Sequence, residues 1–90
     1  MTLPEKLEAL QIEAAVLRFN WLGFATRAQI GYLISLFKPH AEDREARLAL
    51  ASRLLNRDID SFNDISAGEA KAMLGNPDLA ELLEWVANEP

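Results

Sequence analysis

Apolar residues recur along this chain at spacings of three and four, in five groups separated by Gly, Pro, Asn and Asp. That period is the helical one, and no segment shows the apolar–polar alternation of a strand. The pattern predicts an all-α chain, a single domain forming a compact bundle of five short helices. Their expected spans are about 3–19, 27–37, 42–56, 67–74 and 77–88.

The starts and stops carry their own chemistry. Thr2 with Glu5, Thr26 with Gln29 and Ser66 with Glu69 each read as a capping box, in which a hydroxyl and a carboxyl or amide satisfy backbone N–H groups at a helix start. Pro4 suits a first turn, Gly23 breaks the first helix, and Pro39 ends the second. After Gly75, Asn76 as cap and Pro77 at the first helical position are expected to open the last helix, with Leu79, Leu82, Leu83 and Val86 as its buried stripe. Gly31 in the middle of helix two costs about 1 kcal/mol against Ala, which predicts a close approach of another helix there.

The first helix differs from the others in being apolar on two sides. Leu3, Leu7, Leu10, Ala14 and Leu17 align as one seam with Trp21 at its end, while Ile12, Val16 and Phe19 gather almost opposite. Such a helix is either enclosed in a core or lends one side to another chain. The longer, more regular seam is expected to face inward. Ile12, Val16 and Phe19, together with Trp21, are then the candidate partner-binding residues, for a protein partner or for a second copy in a homodimer.

Residues 43–74 are the densest unit. Leu48, Leu50, Ala51, Leu54 and Leu55 occupy an arc of roughly 160° on helix three. The stretch Arg57–Ser66 is too rich in Asp, Asn and Ser to continue a helix, but Ile59, Phe62 and Ile65 punctuate it as anchors of a loop lying on the core. The wording of this unit, from Asp43-Arg44-Glu45 and Arg47-Leu48-Ala49-Leu50-Ala51-Ser52 to Arg57-Asp58-Ile59-Asp60-Ser61 and Asp64-Ile65-Ser66 with Glu69-Ala70, preceded by Thr26-Arg27-Ala28-Gln29-Ile30, resembles a small helical domain of actinobacterial and phage proteins. Similar domains stand at the tails of phage single-strand-annealing recombination proteins, and a more distant likeness is to the GemA regulator of Mu-like phages. The resemblance covers about residues 24–74 and includes no catalytic signature. It implies a phage or actinobacterial setting and work in a DNA recombination, replication or regulation complex. Residues 1–23 and 75–90 lie outside it.

Ninety residues with half of them hydrophobic give room for one core and at most one small site. No apolar run has the length of a membrane span, and the start MTLPEKLEAL lacks the regions of a signal peptide, so a cytoplasmic location without membrane association is expected. Zero cysteines fit that compartment and exclude disulfides, thiol catalysis and zinc sites built on Cys. The net charge of −5 is uneven: residues 1–17 carry −2, residues 18–57 carry +4 and the remainder −7. A basic middle permits contact with phosphate, but the overall sign opposes non-specific adhesion to nucleic acid.

Three patterns bear on chemistry. Asp58, Asp60, Asp64, Ser66 and Glu69 match positions 1, 3, 7, 9 and 12 of a calcium loop, yet Phe62 and Asn63 stand where a ligand and a glycine belong, so no metal site is expected. His40 is the only histidine and has no nucleophile motif beside it, and all four glycines are isolated, so no catalytic residue, phosphate loop, cofactor or small-molecule substrate is evident. Helices two and three also read as a helix-turn-helix, with Arg53 and Arg57 on one polar side as candidate nucleic-acid contacts. Arg44 and Arg47 fall on the apolar side, and the connection 38–42 is longer than the usual tight turn. The sequence therefore favours a non-enzymatic helical interaction module, with a small DNA-binding protein as the alternative.

Overall fold

A computed structural model describes residues 1–89. All three capping boxes form: Thr2, Thr26 and Ser66 each accept from the backbone N–H three residues on, and the Glu5, Gln29 and Glu69 side chains return the bond. They fix the starts of α1 (Leu3–Asn20), α2 (Arg27–Phe37) and α4 (Ala67–Leu74). The chain is all-α, with α3 (Arg44–Leu55), a single 3-10 turn at Phe62–Asp64, and α5 (Leu79–Ala87) completing it. Among the described residues the only β pairing is an isolated bridge between Phe24 and Ser66.

The third and fifth helices differ from the sequence expectation at both ends. The third helix starts at Arg44 because the Asp43 carboxylate accepts from the Ala46 N–H, and it stops at Leu55 because Asn56 turns left-handed (φ 55°). The fifth starts at Leu79, two residues later than expected: Asn76 uses its side chain on the N–H of Asp78, closing a local turn that holds Pro77 outside the helix.

The core is shared by every helix. Leu10, Leu33, Phe37, Leu54, Ile65, Met73, Leu82 and Leu83 are fully buried. α1 packs chiefly on α4, with lesser contacts to α3 and α5. The loop between α3 and α4 lies on the core as expected, with Ile59, Phe62 and Ile65 buried and Phe62 meeting Phe37 edge to face at 5.8 Å.

The close helix approach is not at Gly31. A Cβ built on Gly31 meets nothing within 4 Å, whereas one on Gly68 would lie 2.1 Å from the backbone oxygen of Leu17. The tight crossing is thus between α1 and α4, where a missing side chain lets the two backbones touch. The radius of gyration is 11.8 Å, close to the roughly 12 Å expected of a folded chain this long. No described helix is long and apolar enough to cross a membrane.

Candidate partner-binding surface on the first helix

The α1–α4 crossing decides which side of α1 is covered. Leu7, Leu10 and Ala14 are buried and Leu3 and Leu17 pack against the same core, so the seam faces inward along its length. Among the described residues no element covers its opposite side. Ile12, Val16 and Phe19 keep 57%, 50% and 74% of their surface exposed. At spacings of four and three these side chains form one stripe on the outer face.

Trp21 does not join that stripe. It lies past the end of α1 with the Lys71 ammonium 4.6 Å from its ring centroid, and Lys71 belongs to α4, on the seam side. The structure therefore brings three of the four expected residues together and turns the fourth round the end of the helix.

Two further exposed residues escaped sequence reasoning. Leu22 is 87% exposed and Phe24 73%, in a connection tied down at both ends. The Ala25 N–H donates to the Ile65 carbonyl, the Ala67 N–H donates to the Gly23 carbonyl, and Gly23 adopts φ 107°, which L side chains resist. The segment Asn20–Ala25 is thus held in one shape while Leu22 and Phe24 stay in solvent. Three large apolar residues within a glycine-containing connection were the available sign.

Charge on α1 is graded. Glu5, Glu8 and Glu13 occupy its N-terminal and middle turns, and Arg18 its last turn. The Arg18 guanidinium lies 5.7 Å from the Phe19 ring centroid and 3.9 Å from a carboxylate oxygen of Glu69. Glu8 forms no ion pair among the described residues.

The alternative nucleic-acid residues are engaged within the molecule. Arg57 grips Glu69 through two bonds of 2.7 Å and donates a third, of 2.8 Å, to the Asp64 carbonyl. Arg53 pairs with Glu89 at 2.7 Å. Arg44 and Arg47 donate to backbone carbonyls of Asp60 and of Ala41 and Glu42. Arg57 is the least available of these, since releasing it would strand a carboxylate that is 1% exposed.

Glu69 is the one buried charged residue among those described. Burial pushes its carboxyl up, but the Arg57 bonds and the Ser66 N–H and hydroxyl more than offset this and hold it below the usual carboxylate range. The same contacts raise the Arg57 guanidinium further. They also bear on the calcium-like spacing. Its twelfth position is Glu69, whose two oxygens already serve Arg57 and the Ser66 N–H. No cluster of three or more His, Asp or Glu able to hold a metal occurs among the described residues. His40 lines two shallow clefts, and no described side chain hydrogen-bonds to it.

No protein-family model, no curated protein and no solved structure matches this chain. The class that fold and surface define is an all-α single domain with one unpartnered helix face.

Proposed function

We propose that this protein is a non-enzymatic helical interaction module that docks through the outer face of α1. The observation that carries the reading is the stripe Ile12, Val16 and Phe19, exposed on a helix whose other side is fixed in the core. Apolar and aromatic side chains kept in water at a cost of roughly 25 cal/mol per Å² are a standing driving force for association. A phage or actinobacterial DNA-transaction complex in the cytoplasm is the proposed setting, supported by the resemblance of residues 24–74. The engagement of Arg53 with Glu89 and of Arg57 with Glu69 disfavours direct nucleic-acid contact through those two side chains.

A benzophenone amino acid in place of Phe19 tests the reading in producing cells. Irradiation is expected to yield a discrete covalent adduct from position 19 and none from position 84, an exposed site on α5. Equal yields from both positions, or none from 19, would remove the outer face of α1 as a docking surface.

A further inference from the structure

We propose that residues 21–24, the connection after α1, form a tip that rests in the surface of an anionic lipid bilayer, with Leu22 and Phe24 entering it. This surface is separate from the outer face of α1, and nothing in the inference depends on that face. The sequence expectation of no membrane association rested on the lack of a spanning segment, and a peripheral contact needs none.

Its basis is an exposed apolar segment bordered by free cations. Trp21 is 50% exposed, Leu22 87% and Phe24 73%, three large apolar side chains at one end of the molecule. The bonds from Ala25 to Ile65 and from Ala67 to Gly23 already hold the segment, so entering a bilayer orders no loose loop. Arg27 follows Phe24 by three positions, and the Lys71 ammonium sits 4.6 Å from the Trp21 ring centroid. Neither has an ion-pair partner among the described residues, whereas Arg18 is paired with Glu69 and is left aside. Residues 14–41 contain no Asp or Glu, and the acids of the adjoining segment, Asp64 and Glu69, are offset by Arg57.

The net charge of −5 does not oppose such a contact, because acids gather at the far end of α1. Lys6 ties Asp78 and Glu81 to the first turns of that helix, where Glu5 and Glu8 also stand. From Lys6 to Trp21 the helix rises roughly 22 Å at about 1.5 Å per residue, more than two screening lengths at physiological salt. Leu22 discriminates a bilayer from a single-stranded nucleic acid, the other anionic partner that exposed rings suit. Bases stack on rings and gain nothing from an aliphatic side chain, yet Leu22 is the most exposed residue of the tip. A bilayer takes Leu, Phe and Trp together, with the indole at headgroup level and Lys and Arg beside the lipid phosphates.

Co-sedimentation of the wild-type chain with lipid vesicles tests the proposal, and a Trp85→Phe background lets indole emission report on Trp21 alone. Vesicles of phosphatidylcholine and phosphatidylglycerol in equal parts are expected to bind the protein about 25-fold more tightly than phosphatidylcholine alone, about fivefold for each free cation, and to shift Trp21 emission to the blue. Arg27→Gln with Lys71→Gln should remove the preference for the anionic lipid. Leu22→Ser with Phe24→Ser should abolish binding to both. Leu22→Asp alone, at a side chain almost wholly in water, repeats that test without a folding effect and should lose about tenfold or more. No binding to the mixed vesicles at low salt, or binding that survives Leu22→Asp, would overturn the proposal. Binding to a single-stranded oligonucleotide that Leu22→Asp leaves intact, with none to vesicles, would overturn it in favour of nucleic acid.

Discussion

The carbonyl of Leu17 occupies the space that a side chain on Gly68 would need, with an ideal Cβ only 2.1 Å from that oxygen. Neither group can yield cheaply, since one is helix backbone and the other lies in the second turn position of α4. Gly68→Ala is therefore expected to destabilise the fold by about 2–3 kcal/mol despite the better helix propensity of alanine. Gly31→Ala, with open space around it, should stabilise by about 0.5–1 kcal/mol. Urea midpoints of the two variants check both signs, and a Gly68→Ala midpoint at or above wild type would show that the helices do not cross there.

Glu69 sets an acid limit on stability. Its carboxyl is held below the ordinary value in the folded chain, so its contribution is fully present above the unfolded pKa, near 4.3. It is lost as pH falls through the lower folded value. Melting temperature should drop on acidification below about pH 4.5, and Glu69→Gln should flatten that limb by removing one of the groups responsible. Arg57→Ala leaves the buried carboxylate only the more distant Arg18 and should cost about 2–4 kcal/mol at pH 7, an effect that shrinks in acid. A pH-independent loss would mean that the pair contributes packing alone.

Phe62 fixes the irregular stretch between α3 and α4. It is 7% exposed and stacks edge to face on Phe37. Phe62→Ala should cost about 2–4 kcal/mol, read as a lowered urea midpoint. An unchanged midpoint would detach this loop from the core.

The outer stripe of α1 should be removable without harm to the fold. Val16→Gln with Phe19→Gln replaces two exposed side chains by good helix formers, so circular dichroism and melting should stay close to wild type while association disappears. Unfolding of the double variant would place these residues in the core and end the interface reading.

Most of this architecture was legible because its signals are local. Three hydroxyl–carboxyl or hydroxyl–amide pairs at fixed spacing start three helices, and the two-sided pattern of α1 separates a covered seam from an uncovered stripe. What was not legible depends on residues distant in sequence. Gly31 and Gly68 look alike in a helical pattern, and only the crossing of α1 with α4 tells which one touches a backbone. Asn76 can cap a helix or close its own turn, and the turn won because its side chain reaches the Asp78 N–H two residues away. Arg53 lies on α3 and Arg57 just past its end, and the acids that engage them, Glu89 in the C-terminal segment and Glu69 in α4, are distant in sequence.

The partnership of α1 with α4 also orders events in time. α1 leaves the ribosome well before residues 67–74, the segment that gives its seam its main cover. Until then both apolar sides are wet, and a nascent helix of this kind is a natural client for chaperones that hold exposed apolar segments. Refolding of the full chain has the same constraint, because the contact between Leu17 and Gly68 closes a loop of about fifty residues before it rewards the chain.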